Sequence, residues 1–173
     1  MTTDVPATMG IEFDTQLVTT SQGSVKAQIW DTAGQERFAR VLLPTYFRKA
    51  RGVFLVFDMT NPESLKSIEA RWMGQIDDHA DAASPLFRIL VANKSDLASA
   101  ASAPTLVAGE VLALKHGMAF VAASAKTGEN VQAAFEQLLD GVARVKTQPS
   151  AGANKAGVSL KSQKIGQQST GCC

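Results

Sequence analysis

The sequence predicts an α/β domain whose mostly parallel sheet is flanked by helices. Apolar runs without polar alternation, at Gly52–Asp58, Phe87–Asn93 and 119–124, are typical of parallel strands buried on both faces. Segments with helical periodicity lie between and after these runs. Strands that alternate with helices along the chain favour a parallel sheet with helices packed on it.

Before these runs, the sequence predicts an antiparallel hairpin. Residues 11–18 and 25–30 alternate between polar and apolar side chains, which is typical of half-buried strands. The segment 21–24, Ser-Gln-Gly-Ser, lies between them and has the composition of a turn.

Three helices are predicted. The first begins at Asn61-Pro62, because the proline ring is already set for a first helical turn. Its core-facing residues at helical spacing are Leu65, Ile68, Trp72 and Ile76. The second spans about 104–116 and ends at Gly117, a C-cap residue. The third begins at Asn130, a favourable N-cap. Its apolar face consists of Val131, Phe135, Leu138, Val142 and Val145.

Length and charge set the broad class of the protein. The chain has 173 residues, enough for one domain with a hydrophobic core. Its formal net charge of +1 gives no reason to expect a nucleic-acid partner. The N-terminal residues lack the pattern of a secretory signal, and no apolar stretch approaches the roughly 20 residues of a membrane span.

The C-terminal segment has a different composition. Residues 147–173 are rich in Gly, Ser, Gln and Ala and contain no acid, so we expect a disordered tail after a folded domain at 1–146. The cysteines, Cys172 and Cys173, are its last two residues. No other cysteine exists to pair with them, so the sequence predicts no disulfide framework or zinc site and fits a reducing compartment.

The first chemical motif is the string Trp-Asp-Thr-Ala-Gly-Gln-Glu at 30–36, which follows a predicted strand. Asp31 at a strand end is suited to hold Mg²⁺, usually through water. The N–H of Gly34 is suited to a terminal phosphate, and the amide of Gln35 to an attacking water. An Asp-x-x-Gly alone is more often a turn, whereas the full string is far more specific.

The second motif is Asn93-Lys94-Ser95-Asp96, again at a strand end. The carboxylate of Asp96 can accept two N–H bonds from the Watson–Crick edge of guanine, which adenine does not offer. Asn93 can donate to a purine or join neighbouring loops, and the aliphatic stem of Lys94 can lie against the base. Taken alone, the motif is almost equally compatible with a polar loop.

The third motif, Ser124-Ala125-Lys126, gains meaning from its place after the next strand. The Ala125 N–H is suited to the exocyclic oxygen of the base, and the Lys126 stem to its other face. All three motifs lie at carboxyl ends of strands, where open α/β sheets bind ligands.

Together these motifs resemble the Ras superfamily, and its Rab branch in particular, over residues 8–146 and the terminal Cys-Cys. The resemblance implies a P-loop-NTPase-like fold, here an incomplete small G domain, with Thr8 and Asp31 as Mg²⁺-binding residues. It implies that Ser124 belongs to the nucleotide site and that both cysteines carry lipid. The effector-binding residues would be Ile11, Phe13, Trp30 and Tyr46, although Phe13 and Trp30 are also compatible with simple packing in the hairpin.

The same resemblance implies GTP or GDP with Mg²⁺ as ligands and a GTP/GDP switch in vesicle and membrane trafficking, in which GTP is hydrolysed. The implied partners are effectors, an exchange factor, a GTPase-activating protein, a prenylation escort and a GDP-dissociation inhibitor. We expect a cytoplasmic monomer anchored by lipid to the cytosolic face of an endomembrane.

The first strand, the phosphate-binding loop and the first helix of the family pattern are absent from these 173 residues. No Lys-Ser or Lys-Thr pair is preceded by glycine, so the Gly-x-x-x-x-Gly-Lys-Ser/Thr loop does not occur. Losing three of its charged hydrogen bonds would weaken phosphate binding roughly 10³- to 10⁶-fold. We therefore expect a truncated chain that is inactive without this loop. The alternatives are a prenylated pseudo-GTPase acting as an interaction module and, from the tail alone, a decoy for the prenylation machinery.

Overall fold

The computed structural model describes residues 11–21, 23–32, 47, 50–80 and 85–147. Strands β1 (Ile11–Thr20) and β2 (Gly23–Thr32) form the predicted antiparallel hairpin, in which Phe13 lies opposite Trp30. Strand β1 extends two residues further at the turn than the alternation predicts, and β2 extends two residues further at both ends, so the turn is tighter than expected.

The three predicted apolar runs form a parallel sheet, as expected, and their order in it is β3-β4-β5. Strands β3 (Gly52–Asp58) and β4 (Phe87–Asn93) have the predicted bounds, and β5 is Ala119–Ala122. The prediction that β5 reaches residue 124 is wrong, because the chain turns at Ser124, whose N–H donates to the carbonyl of Glu129. Burial on both faces holds for the centre of β4, whereas Val56 of β3 is 54% exposed.

The first predicted helix is a composite. It comprises α1 (Pro62–Ser67), a π-helical turn at Ile68–Trp72 and α2 (Met73–His79). Asn61 caps its start by accepting from the N–H of Glu63 at 3.1 Å. In the π turn the N–H of Met73 donates to the carbonyl of Ile68, five residues earlier, and both residues are buried. The predicted core position of Trp72 is therefore taken by Met73, and Trp72 is only partly buried.

Two longer helices follow. Helix α3 (Ala103–Lys115) ends as predicted beside Gly117, whose φ of +62° is the left-handed conformation that a C-cap glycine supplies. Helix α4 (Val131–Thr147) starts directly after Asn130. Asn130 thus lies at the predicted start of the helix, and its side-chain Nδ2 donates to the carbonyl of Ala122 at 2.8 Å.

The hydrophobic core lies on both faces of the parallel sheet. Leu90 and Ala92 of β4 face one side, where they pack in one cluster with residues of α1, α2 and α3. Ile89 and Val91 face the other side, where they pack with Leu138 of α4. Helices on both faces position the carboxyl ends of the strands as a common edge, which is where the site lies.

The hairpin is a separate sheet within the described residues, and β1 packs on α4. At its tip, the Ser21 hydroxyl donates to Asp140 Oδ1 at 2.9 Å, and the Ser21 N–H lies 3.3 Å from the same oxygen. Among the described residues, none of the helices has both the length and the apolar character that crossing a membrane requires.

Candidate functional site

The second and third motifs meet at one edge of the parallel sheet. Strand β4 ends at Asn93 and β5 at Ala122, and the strands pair in parallel, so the loops that follow them are neighbours. The N–H of Ala123 donates to the carbonyl of Ala92 at 2.9 Å, and the N–H of Ser95 to the carbonyl of Ala123 at 3.0 Å. The two loops, residues 93–97 and 123–130, are therefore joined by their backbones.

Asn93 links the loops through its side chain. Its Oδ1 accepts a hydrogen bond from the N–H of Ala125 at 3.0 Å. This is the loop-joining role that the sequence suggests for an asparagine here. The same bond occupies the N–H expected to meet the exocyclic oxygen of a base, so that contact would require the N–H to be shared or to change partner.

Asp96 is held by a buried neighbour. The Ser124 hydroxyl, in a residue with 0% exposure, donates to Asp96 Oδ1 at 2.6 Å. The Asp96 side chain is 14% exposed, so the solvent-facing surface of this exposed residue belongs mainly to its backbone. Lys126 Nζ lies 3.8 Å from Asp96 Oδ2, and its own side chain is 79% exposed. The Asp96 carboxylate is thus oriented by one short hydrogen bond from Ser124, and the exposed ammonium group of Lys126 lies near its other oxygen.

Lys94 is held in a conformation unusual for a residue with a side chain. Its φ of 68° and ψ of 40° are left-handed, and the 3₁₀ turn Ser95–Leu97 follows directly. Its Nζ lies 2.6 Å from Asp58 Oδ2, at the end of the neighbouring strand β3. This ion pair fixes the direction of the lysine stem along the site.

Asp58 is in turn held by Thr60. Both the Thr60 N–H, at 2.8 Å, and the Thr60 hydroxyl, at 2.6 Å, donate to Asp58 Oδ1. Partial desolvation raises the pKa of Asp58, but the hydrogen bonds from Lys94 and Thr60 together outweigh it, so its pKa lies below the ordinary value of 3.8. Asp58 is therefore a carboxylate at neutral pH, and it supports Lys94 electrostatically.

A second set of contacts lies behind these residues. Ser95 Oγ donates to Glu129 Oε2 at 2.7 Å, and the N–H of Ser124 donates to the Glu129 carbonyl at 3.0 Å. The motifs alone do not single out Asp58, Glu129 or Asn130. The sequence signal for Asp58 is its position at the end of a predicted parallel strand, in register with Asn93.

The hairpin carries an exposed aromatic pair. The rings of Phe13 and Trp30 lie with centroids 5.1 Å apart and planes inclined at 31°. They contact each other and still remain exposed, at 62% for Phe13 and 42% for Trp30. Packing in the hairpin alone thus leaves much of their apolar surface facing solvent, as a protein-binding patch does.

The predicted phosphate and metal residues fall largely outside the described part. Asp31 lies in β2 and is exposed. The side chain of Ile11 and the whole of Thr8, Gly34, Gln35, Tyr46, Cys172 and Cys173 lie outside the described residues. The structure therefore brings together the predicted base-binding residues of both loops and describes no arrangement for the predicted phosphate-binding ones.

Comparison with known proteins identifies the family. The model of the Ras family matches residues 1–144, most of the chain. The chain belongs to the Ras family. Its relatives place it in the Rab branch, as the sequence predicts. The α/β fold with a parallel three-stranded sheet and flanking helices agrees with that membership.

Several Rab-named proteins match almost the whole chain. "Ras-related protein Rab-25" of Oryctolagus cuniculus is 39% identical over 176 residues, covering 98% of this chain and 80% of the relative. "Ras-related protein RABD2b" of Arabidopsis thaliana is 36% identical over 168 residues, covering 96% and 80%. "Ras-related protein RIC1" of Oryza sativa subsp. japonica is 37% identical over 169 residues, covering 96% and 81%.

The described residues of the two loops can be compared with the donors and acceptors of a guanine base. A carboxylate that accepts from one side only, as Asp96 Oδ1 does from Ser124, retains lone pairs for two further N–H donors. The side chains of Lys94 and Lys126 are 49% and 79% exposed, respectively, and belong to the two loops that hold that carboxylate. The chemistry of this donor and acceptor set fits the edge and faces of guanine.

Proposed function

We propose that this protein is a Rab-like guanine-nucleotide switch that acts in intracellular membrane trafficking. The observation that carries the proposal is the Asp96 carboxylate, held at 2.6 Å by buried Ser124 at the edge of the parallel sheet. Two acceptor oxygens fixed in one plane match the N1–H and exocyclic amine of guanine. Adenine lacks that pair of donors, so the site selects one purine.

Each described residue has its own part in binding the base. Asp96 accepts from the base edge, and Asn93 keeps the loop of Ala125 beside the strand end. Lys94, anchored by Asp58, and Lys126 cover the two faces of the ring with their aliphatic stems.

Asp31, with Thr8, would hold Mg²⁺, and Gly34 and Gln35 would meet the terminal phosphate and the attacking water. Bound Mg²⁺ would neutralise phosphate charge at that end of the nucleotide.

The trafficking role is supported by the Rab-named relatives and by the exposed pair Phe13 and Trp30. We propose that this pair, with Ile11 and Tyr46, contacts effectors, and that the family's exchange factor, GTPase-activating protein, escort and dissociation inhibitor also act on this protein. Residues 147–173 would form a tail that carries lipid on Cys172 and Cys173 and attaches the folded domain, 1–146, to an endomembrane.

A titration of the 173-residue chain with GDP and ADP tests the base specificity. Amide shifts in the two loops, 93–97 and 123–130, should saturate at lower GDP than ADP. Asp96→Ala should reduce that preference about 10- to 100-fold, because it removes hydrogen bonds to a charged acceptor. Asp77→Ala, which removes an exposed carboxylate paired with Arg88 away from the loops, is the matched control. Equal affinity for GDP and ADP in the unmodified chain would sink the proposal.

A second candidate function is a prenylated pseudo-GTPase that works as an interaction module. It is supported by the absence of a Gly-x-x-x-x-Gly-Lys-Ser/Thr loop within these 173 residues. Calorimetry with Mg²⁺ and GTP or GDP separates the two, since the module needs no nucleotide. Submicromolar affinity would exclude the pseudo-GTPase, whereas weak binding that becomes tight when a strand and phosphate-binding loop are added would favour a truncated switch.

A further inference from the structure

Three polar contacts and one peptide link close a ring between the two loops. Ser95 Oγ donates to Glu129 Oε2 at 2.7 Å, across a sequence separation of 34 residues. The Glu129 carbonyl accepts from the N–H of Ser124, whose hydroxyl donates to Asp96 Oδ1. Asp96 follows Ser95 in the chain, so the ring returns to its start. The Ser95 N–H reinforces it by donating to the carbonyl of Ala123.

We propose that the Ser95–Glu129 hydrogen bond is a positioning contact that sets the orientation of Asp96 and hence the preference for guanine. The inference rests on the proposed nucleotide function. It assigns roles to two residues that need not touch the nucleotide themselves: Ser95, which lies between Lys94 and Asp96, and Glu129, which lies shortly before α4.

Geometry explains why this contact would matter to a base. Asp96 is held from one side by Ser124, and Ser124 is held by the Glu129 backbone. The Glu129 side chain in turn accepts from Ser95, the residue before Asp96. Among the described residues, this is the one side-chain hydrogen bond that joins Glu129 to Ser95. If this link opens, the 3₁₀ turn Ser95–Leu97 can shift relative to Ser124. Two-point recognition of guanine tolerates little movement, because both N–H bonds must stay linear.

The nature of the contact also determines how each variant should behave. Ser95 is the donor and the Glu129 side chain is the acceptor. Glu129→Gln keeps an acceptor oxygen at the same distance along the chain, whereas Glu129→Ala removes it. Ser95→Ala removes the donor. A role in positioning therefore predicts partial rescue by glutamine, and no additivity when Ser95→Ala and Glu129→Ala are combined.

The experiment uses the ¹⁵N-labelled 173-residue chain with GMP and AMP as probes at millimolar concentrations. We expect Ser95→Ala and Glu129→Ala each to lower the GMP-over-AMP preference roughly 3- to 10-fold, the effect of loosening one hydrogen bond. Amide hydrogen exchange at Ser124 and Ala125 should accelerate by a similar factor. Glu129→Gln should lie between the unmodified chain and Glu129→Ala. Glu136→Gln, which changes a glutamate of α4 that contacts Gln132 instead, is the matched control and should leave both readouts unchanged.

The outcomes separate this inference from the proposed function. If the unmodified chain prefers GMP and the Ser95 and Glu129 variants keep that preference, the positioning role is wrong and the nucleotide site stands. The same holds if the variants only lower the melting temperature. If the unmodified chain binds GMP and AMP equally, the proposed function fails, and the role in guanine preference fails with it. Faster exchange in the variants would then show a structural link alone.

Discussion

Lys94 and Asp58 form an ion pair, with Nζ and Oδ2 2.6 Å apart, that ties the ends of neighbouring parallel strands together. The lysine belongs to a nucleotide motif, and the aspartate belongs to none. Asp58 also accepts two hydrogen bonds from Thr60, so the anchor of Lys94 is itself fixed. The position of Lys94 thus depends on strand β3, which contains none of the motif residues.

Asp58→Asn should lower the free energy of unfolding by about 1 kcal/mol at neutral pH, because a charge-assisted contact and part of the Thr60 network are lost. The folded-state pKa of Asp58 lies below 3.8. Its stabilising contribution is therefore complete above that value and is lost as the pH falls through the folded-state pKa. Urea unfolding of both proteins at neutral and acidic pH measures this, and the difference should shrink on acidification.

Glu63→Gln is the matched control for that series. Glu63 and Lys66 also form a 2.7 Å pair, but both side chains are about 70% exposed. Such pairs contribute little to stability. An effect of Glu63→Gln as large as that of Asp58→Asn would contradict the assignment of the Asp58 effect to its sheltered network.

Two helical glycines should respond to alanine with opposite signs. A Cβ at Gly109 of α3 would lie 2.6 Å from Cζ of Phe57, whose ring is 1% exposed and enclosed in the core. We expect Gly109→Ala to cost roughly 1–3 kcal/mol of unfolding free energy through overpacking. A Cβ at Gly74 of α2 meets nothing within 4 Å, so Gly74→Ala should stabilise by about 0.5–1 kcal/mol. Denaturant midpoints report both, and a stable Gly109→Ala protein would show that the contact between α3 and β3 is looser than described.

Gln35→Leu tests the role in hydrolysis that family membership implies. In a version of the chain extended by a strand and a phosphate-binding loop, we expect hydrolysis to slow roughly tenfold or more, with GTP affinity nearly unchanged. The reason is that an amide which orients water acts mainly in the transition state. Single-turnover hydrolysis and equilibrium binding measure the two effects separately. Hydrolysis at the parent's rate would show that Gln35 has no such role.

Replacement of the terminal cysteines tests the proposed anchor. Adjacent cysteines are about 3.8 Å apart at Cα, short of the usual disulfide span of about 5.5 Å, so they rarely bridge each other. The resemblance to the Rab branch implies lipid on both thiols. Intact mass of the protein from its native cells should show one prenyl group on each. Since stable anchoring generally takes two signals, Cys172→Ser or Cys173→Ser alone should weaken membrane sedimentation, and the double variant should abolish it. Unmodified cysteines on a well-folded protein would refute the anchor.

The parallel sheet could be predicted closely because its strands are apolar runs with clear polar ends. Gly52–Asp58 and Phe87–Asn93 match the sequence prediction at both ends. The π turn at Ile68–Trp72 could not be predicted, since a periodicity of 3.6 residues places Trp72 where the structure places Met73. A helix that widens for one turn moves every later residue relative to a regular pattern.

In the proposed base-binding loops, too, some contacts could be predicted from the sequence and others could not. Topology alone predicts that Asn93 and Ala125 are neighbours, because both follow adjacent parallel strands. The bonds that orient Asp96 depend on side-chain contacts across 28 residues to Ser124 and, for its neighbour Ser95, across 34 residues to Glu129. Nothing local in the sequence encodes such pairs. These pairs form only because the turn after β5 places Ser124 and Glu129 beside the loop 93–97.

Within the described residues, the hairpin shares no ladder hydrogen bond with the parallel sheet, and its tip is attached to α4 through Ser21 and Asp140. Unfolding of the hairpin is therefore not necessarily coupled to unfolding of the parallel sheet. We expect the hairpin to open as a unit while β3, β4 and β5 stay paired, with an opening free energy below that of global unfolding. A protein that binds at Phe13 and Trp30 would then suppress this subglobal opening, and its affinity would depend on how often the hairpin is closed.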